Sequence, residues 1–221
     1  SAVPVIRYFA CRGRVEPLRL LFVEAGVTWK ENSLTDPKDW AQEKGQTPFG
    51  SLPIVTVGDK QYTQTMAIIR HYANEHNFFG NDSEERLRAD IMVEAVLDAQ
   101  EKLASKYYWN PNWETDRKDV EEKLLPPLYE NIQRFFKKDN QGPWVLGQTL
   151  SVADFMLWCF LDLMRPFVPG QLPKYQELAK FHQDFSTREK IAEYLHSDKR
   201  YKNHTITLSP VGGTPETSAQ P

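Results

Sequence analysis

A change of sequence pattern near residue 80 limits this chain to a fold of two parts. Before that point short strand-like runs alternate with helical segments, and after it almost every segment has the helical spacing of apolar residues. In the first part we expect strands at residues 3–8 and 29–32, a helix at 15–25, a hairpin at 54–63 and a helix at 66–75. The sequence therefore predicts an α/β domain over residues 1–76, a linker over 77–82 and an all-helical domain over 83–204.

The helical part has recognisable start and stop signals. Helices are predicted at residues 83–109, 118–137, 155–163, 173–184 and 187–197. Pro126-Pro127 should kink the second of these, because proline lacks the N–H that a helix interior needs. The run Ser151-Val152-Ala153-Asp154 resembles a helix-capping box with Asp in place of Glu. The tail from about residue 205 to 221 is rich in Gly, Pro, Ser and Thr, so we predict that it is disordered.

Composition excludes several classes of function. A net charge of −3 over 221 residues gives no reason to expect nucleic-acid binding, and no apolar run is long enough to suggest a membrane partner. The N-terminal Ser-Ala-Val-Pro lacks the regions of a signal peptide, and Cys11 and Cys159 lie far apart, so a reduced cytoplasmic location is predicted. The five histidines show no metal-ligand spacing, and no metal is expected.

Tyr8 is the first candidate for chemistry. It closes the predicted first strand, and Arg12-Gly13-Arg14 follows it in the loop. A phenol titrates near pH 10 and so remains a hydrogen-bond donor at neutral pH. Such a donor can stabilise a thiolate or an oxyanion. A half-buried strand tyrosine is the alternative interpretation.

Three further segments suit a small anionic peptide. Leu52-Pro53 could offer an unpaired backbone edge, Gln64-Thr65 stands where a helix N-terminus can bind a carboxylate, and Trp40 and Lys44 share a helical face. Each also has an ordinary structural interpretation, respectively a loop, a simple helix cap and a solvated face. Together with Tyr8 they predict a site with groups for two carboxylates, a peptide backbone and a thiol.

This constellation resembles the glutathione-binding site of cytosolic glutathione S-transferases. The order of segments is similar to that of the family: a Tyr near the end of the first strand, Arg-Gly-Arg-x-Glu, Leu-Pro before the third strand and Gln-Thr before the third helix. The similarity continues through Gly147–Asp154 and covers roughly residues 3–200. Among the tyrosine-type classes, sigma is favoured by Arg14, Trp40 and Lys44, followed by pi and mu.

The resemblance implies an N-terminal thioredoxin-like domain, a C-terminal helical bundle and a homodimer that uses glutathione as co-substrate. It implies Tyr8 and Arg14 as catalytic residues. The implied glutathione-binding residues are Tyr8, Trp40, Lys44, Ser51, Leu52, Pro53 in cis, Gln64, Thr65 and, reaching across the dimer, Asp98. The implied electrophile pocket consists of Phe9, Arg14, Tyr107, Tyr108 and Trp109. The family normally has Ser where this chain has Thr65, which retains the hydroxyl but adds a methyl group.

The resemblance leaves alternatives open. A family member can serve as a structural protein of the crystallin type or as a ligand carrier, and some sigma members isomerise prostaglandin H2 to the D form. Cys11 could instead be a reactive thiol if Arg12 and Arg14 lowered its pKa. The presence of Tyr8, Arg14, Gln64 and Asp98 favours conjugation of glutathione to hydrophobic electrophiles.

Overall fold

The first part of the chain forms a four-stranded sheet with helices packed on it. The structure is a computed structural model that describes residues 2–108, 110–206 and 209–221. The strands are Val5–Phe9 (β1), Lys30–Leu34 (β2), Ile54–Val57 (β3) and Lys60–Thr63 (β4), in the spatial order β2-β1-β3-β4. β1 is parallel to β2 and antiparallel to β3, and β3 and β4 form the predicted hairpin. With its helices, this sheet is the predicted thioredoxin-like arrangement.

Helices account for most of the rest of the described chain. Those of the first part are Glu16–Ala25 (α1), Pro37–Glu43 (α2) and Thr65–Glu75 (α3). Those of the second are Ser83–Tyr107 (α4), Trp113–Asp119 (α5), Leu125–Lys137 (α6), Val152–Phe167 (α7), Gln176–Ser186 (α8) and Glu189–Leu195 (α9). Within the described ranges, no helix is both long and apolar enough to cross a membrane.

The double proline coincides with an irregularity in the predicted helix of residues 118–137. The segment is divided into α5, a π-helical turn at Val120–Leu124 and α6, whose first turn contains Pro126 and Pro127. The backbone stays helical from α5 through this turn into α6, and Leu125 N–H donates to Val120 O. The π-helical turn thus lies directly before the position where the prolines remove N–H donors from the helix.

Helix α7 forms the centre of the helical part, and the capping box at its start is confirmed. Ser151 N–H donates to Asp154 Oδ2 at 2.7 Å, and Asp154 Oδ1 accepts from Val145 N–H at 2.8 Å. Burial raises the pKa of Asp154 to about 7, against these hydrogen bonds. The box thus ties the start of α7 to the loop before it.

The segment between α3 and α4 packs on the same helix start. Val152 N–H donates to Phe78 O at 2.6 Å, and the rings of Phe78 and Phe155 lie edge to face at 5.4 Å. Contacts between α1 and α7 join the two parts further along. The sheet and the helical part consequently share one hydrophobic core.

The tail differs from the expectation of disorder. Residues 209–221 fold back on the protein, and Val211, Ser218 and Ala219 are buried. The buried Arg12 guanidinium donates to Ala219 O at 2.5 Å. Composition alone predicts disorder because the tail has few apolar groups to bury, but this distant arginine supplies a buried partner for its backbone.

Candidate active site

Tyr8 lies in the middle of the sheet with its hydroxyl under the loop that follows β1. The side chain is 8% exposed, and Oη accepts a hydrogen bond from Arg14 N–H at 3.2 Å. Burial raises the pKa of Tyr8 to about 12, although the Arg14 N–H and nearby arginines oppose this. The phenol is therefore protonated at neutral pH. Its oxygen is held by the backbone while its own hydrogen remains available to donate.

The tyrosine ring requires glycine at position 13. Gly13 has a φ of +50°, and a Cβ built there would lie 2.6 Å from both Cε1 and Oη of Tyr8. Both the positive φ and the close approach exclude larger residues without rearrangement. The Arg12-Gly13-Arg14 sequence thus allows the backbone to cross directly over the hydroxyl.

Cys11 does not fit the reactive-thiol alternative. Its side chain is 2% exposed, and burial raises its pKa to about 12 despite the positive charge of Arg19. A nucleophilic cysteine needs a lowered pKa and access to solvent. The alternative of a thiol activated by Arg12 and Arg14 is therefore not supported, since desolvation and the charge of Glu16 outweigh the one arginine charge, that of Arg19, that lowers the pKa.

A cleft of about 390 Å³ opens between the two parts of the chain beside this loop. Arg14, Thr65, Tyr107 and Tyr108, all predicted site residues, contribute to its lining. Other lining residues were not predicted from the sequence, among them Gly13, Met66, Leu97, Met156, Leu163 and His204. Gly13 lies in the turn after β1, and the other five come from α3, α4, α7 and the C-terminal segment. No local pattern marks apolar residues of a core helix as cleft residues.

The aromatic residues predicted for the electrophile pocket separate into different environments. Tyr107 is 3% exposed and packs on Phe167, whereas Tyr108 is half-buried with its ring 5.0 Å from that of Tyr107. Phe9 packs edge to face with Tyr8 at 5.7 Å, and it is absent from the cleft lining in the described residues. Trp109 lies outside the described residues. Tyr108 is therefore the best placed of these rings to meet a ligand.

The segment before β3 has the open backbone edge that the sequence predicts. The Leu52–Pro53 peptide bond is cis, and Pro53 is buried while Leu52 is half-buried. Among the described residues, Leu52 uses neither its N–H nor its C=O in a hydrogen bond. Ser51 beside it is exposed. This short edge is therefore free to pair with an extended peptide.

The N-terminus of α3 differs in detail from the prediction. Gln64, rather than Thr65, occupies the capping position, with a φ of 69° that is strained for a residue other than glycine. No side chain caps the helix among the described residues, and the Gln64 side chain is exposed. The first N–H groups of α3 are thus available to an anion, with Thr65 lining the cleft nearby.

The remaining predicted binding residues are exposed or half-buried. Trp40 is half-buried on α2, and Lys44 is exposed in the turn that follows, with its aliphatic chain over Gly50. Asp98 is exposed on α4. Among the residues that the structure describes, no salt bridge engages Lys44 or Asp98. No group of His, Cys, Asp or Glu within the described chain could hold a metal ion.

Comparisons with known proteins agree with this geometry. A family model described as the C-terminal domain of glutathione S-transferase matches residues 97–198. Glutathione S-transferase P 1 of Xenopus laevis is 35% identical over 207 residues, covering 90% of this chain and 94% of that protein. Glutathione S-transferase Mu 1 of Oryctolagus cuniculus is 30% identical over 201 residues, covering 87% and 90%.

A solved structure resembles the whole arrangement. The Pi-class glutathione S-transferase of Onchocerca volvulus has a TM-score of 0.84 at 27% identity, covering 93% of this chain and 99% of that one. These relatives carry P, Mu and Pi names, and the preference for the sigma class remains a prediction. The sequence identity over nearly the full length, together with the shared fold, shows that the chain belongs to the glutathione S-transferase family.

Proposed function

We propose that this chain is a glutathione transferase in which the Tyr8 hydroxyl stabilises the thiolate of bound glutathione. The observation that carries the proposal is the buried, protonated phenol whose oxygen is held by Arg14 N–H at 3.2 Å beside an open cleft. That backbone bond polarises the hydroxyl and leaves its hydrogen to donate. Hydrogen-bonded chains of this kind strengthen one another.

One such hydrogen bond is strong enough to lower the pKa of the glutathione thiol by a useful amount. A free thiol titrates near pH 8.5, and each unit of pKa lowering requires about 1.4 kcal/mol. A hydrogen bond to a charged group contributes roughly 1.5–3 kcal/mol, which corresponds to about one to two units. The positive charge of Arg14, exposed at the cleft, favours the thiolate further.

The reaction itself is a nucleophilic addition or substitution. The thiol proton leaves to solvent, and the sulfur lone pair forms a C–S bond to an electrophilic carbon held in the cleft. In substitution the leaving group departs with its bonding electrons, and in addition the displaced π electrons move onto the electrophile and are then protonated by water. Tyr8 contributes charge stabilisation, and binding of both reactants in one cleft contributes proximity.

The other predicted binding groups suit the rest of the glutathione molecule. We assign the cysteinyl backbone to Leu52, the γ-glutamyl end to Gln64 and Thr65, and the glycyl carboxylate to Trp40 and Lys44. The free backbone groups of Leu52 and the uncapped N-terminus of α3 support this assignment. The electrophile would lie against Tyr108 and the apolar groups of α4 and α7.

We infer a homodimer, and the exposed apolar surface of α4 supports it. Leu87 and Ile91 are exposed at 55% and 45%, and Asp98 lies seven residues beyond Ile91 on the same helical face. Phe49, 68% exposed, adds a large apolar group to the outside of the first part. Neighbouring exposed apolar groups, such as Leu87 and Ile91 one helical turn apart, suit a protein contact. Asp98 would then reach the γ-glutamyl amine in the partner, in a protein that we place in the cytoplasm.

The change Tyr8→Phe tests the catalytic assignment. We expect kcat/KM with a chlorodinitrobenzene electrophile to fall by roughly 10- to 150-fold, the equivalent of 1.5–3 kcal/mol, with glutathione KM within about twofold. Tyr62→Phe is a matched control, since this half-buried tyrosine of β4 packs on His71 in the same domain. An unchanged rate in Tyr8→Phe would refute the role. Near-zero wild-type turnover with retained binding to immobilised glutathione would instead indicate a carrier protein.

A further inference from the structure

The C-terminal tail forms a compact loop that holds the strap of residues 203–205. We call residues 209–221 the tail loop. Within it, Ser218 Oγ accepts from His204 N–H at 2.9 Å, and its hydroxyl hydrogen can donate either to Thr214 O at 2.7 Å or to Gly212 O at 2.9 Å. Gly212 O also accepts from Thr205 N–H at 2.7 Å. Ser218 is 5% exposed. The position of the strap therefore depends on hydrogen bonds that the tail loop supplies.

The strap lies against the turn that crosses Tyr8. Arg12 N–H donates to Asn203 O at 3.0 Å, and Gly13 N–H donates to His204 O at 2.8 Å. The next N–H along, that of Arg14, is the one that holds Tyr8 Oη. Three successive N–H groups thus connect the strap, the turn and the Tyr8 hydroxyl.

The Arg12 side chain provides a second connection. It is 1% exposed and donates to the backbone carbonyls of Tyr201, Lys202 and Ala219, at 2.7, 3.0 and 2.5 Å. One guanidinium therefore binds both the two residues before the strap and the tail loop. These carbonyls lie up to 18 residues apart in the sequence, from 201 to 219. Since Arg12 also begins the turn over Tyr8, movement of the tail loop would disturb that turn through the Arg12 side chain.

We propose that the tail loop is a positioning element for Tyr8. By holding the strap against Arg12 and Gly13, it fixes the turn whose N–H orients the phenol toward the thiol. This inference rests on the proposed function of Tyr8. A displacement of about 1 Å at a reacting group can lower a rate by 10²-fold, so a partial loss of this support should be measurable.

Two substitutions in the tail loop test the proposal in the full-length protein. Ser218→Ala removes the acceptor of His204 N–H, and Gly212→Ala, at a φ of +74°, places a Cβ 3.0 Å from His204 Cβ. Glu216→Gln changes an exposed residue of the same loop and is the control. We expect each of the first two to lower kcat/KM at neutral pH by about 3- to 10-fold while glutathione KM stays within about twofold.

The decisive readout is the titration of the bound glutathione thiol, followed by the ultraviolet absorbance of its thiolate. In Ser218→Ala and Gly212→Ala the thiolate should form at higher pH than in the wild type, and in Glu216→Gln at the same pH. A merely structural tail would lower the melting temperature without moving this titration. Folded variants that titrate like the wild type would overturn the proposal.

A measurement on the wild type covers the case in which the variants do not fold. Native-state hydrogen exchange should show the amides of Gly13 and His204 opening together, with the same free energy. Independent opening would overturn the inference. The change Tyr8→Phe separates this inference from the proposed function. If Tyr8→Phe also leaves the titration of the glutathione thiol unchanged, the proposed role of Tyr8 is wrong. If Tyr8→Phe shifts that titration while the tail variants do not, only the tail proposal is wrong.

Discussion

Two arginines separated by a single glycine have opposite environments in this protein. Arg12 is 1% exposed and donates to three backbone carbonyls, whereas Arg14 is exposed and lines the cleft. The guanidinium of Arg12 is therefore fully engaged by hydrogen bonds within the protein. The second keeps its charge available to a ligand. Burial thus distinguishes identical side chains two positions apart: Arg12 has a structural role, and we propose a functional role for Arg14.

The same contrast extends to the groups around each arginine. Behind the loop, Arg19 pairs with Glu16 at 3.1 Å, and Arg200 joins Glu16 at 3.3 Å to Asp162 at 2.9 Å. These buried charges connect α1, α7 and the segment after α9. At the cleft and around the predicted peptide site, Lys44, Gln64 and Asp98 are exposed instead. Charges that satisfy one another stabilise the fold, and exposed charges can bind a substrate.

The two arginines themselves provide the strongest test of this contrast. Arg12→Gln should lower the free energy of unfolding by about 3–5 kcal/mol, because it leaves the buried carboxylates near it with less positive charge and removes donors to buried carbonyls. Arg14→Gln should change that free energy by less than about 0.5 kcal/mol. Denaturation by urea measures both.

Arg14→Gln should reduce activity although it leaves stability nearly unchanged. Arg14→Gln should lower kcat/KM by about three- to tenfold, on the order of 1 kcal/mol for one charge beside the thiolate. If the two variants were equally stable, the distinction between buried and cleft arginines would be wrong.

The pH dependence of stability gives an effect of intermediate size. Burial alone would raise the pKa of Asp162, but the hydrogen bond from His182 and the charges of Arg200 and Arg12 hold it well below its ordinary value. A carboxyl with a lowered pKa in the folded state stabilises the protein above its unfolded pKa of about 3.9 and loses this contribution as pH falls below it. Wild-type stability should therefore fall in acid by on the order of 2 kcal/mol through this group.

The change Asp162→Asn isolates that contribution. The variant should be less stable at neutral pH, and its stability should depend less on pH below about 4 than that of the wild type. Asp98→Asn is the exposed counterpart and should keep the wild-type slope. Parallel acid-unfolding curves for Asp162→Asn and wild type would show that the buried pairs contribute nothing to this dependence.

The smallest effect is expected at the exposed lysine. Lys44→Gln should weaken glutathione binding by about two- to fivefold, since an exposed ion pair contributes at most about 1 kcal/mol. The difference from wild type should shrink as salt is added, because screening weakens exposed charge pairs. Titration calorimetry at low and high salt checks this, and Lys60→Gln, an exposed lysine of β4, serves as the control. A loss that is independent of salt would contradict a purely electrostatic role.

Local patterns predicted the elements well wherever neighbours in sequence decide the outcome. The hairpin, the capping box before α7 and the start of α3 at Gln64-Thr65 depend on residues within a few positions, and the sequence contains those residues. Gln64 rather than Thr65 occupies the N-cap position, which shifts that prediction by one residue. The tail was predicted less well, since its conformation depends on a distant partner that composition does not reveal.

The amino-acid sequence by itself determined the two-part architecture, the family and the candidate ligand groups, because periodicity and short motifs are local properties of a chain. Only the tertiary structure decided which polar groups are paired with other groups of the protein and which are free to bind a ligand. Arg12 meets Ala219, and Asp162 meets Arg200, across separations that no local pattern spans. Burial then sets the charge state of Tyr8 and Cys11, since desolvation depends on everything packed around a group and not on its neighbours in sequence.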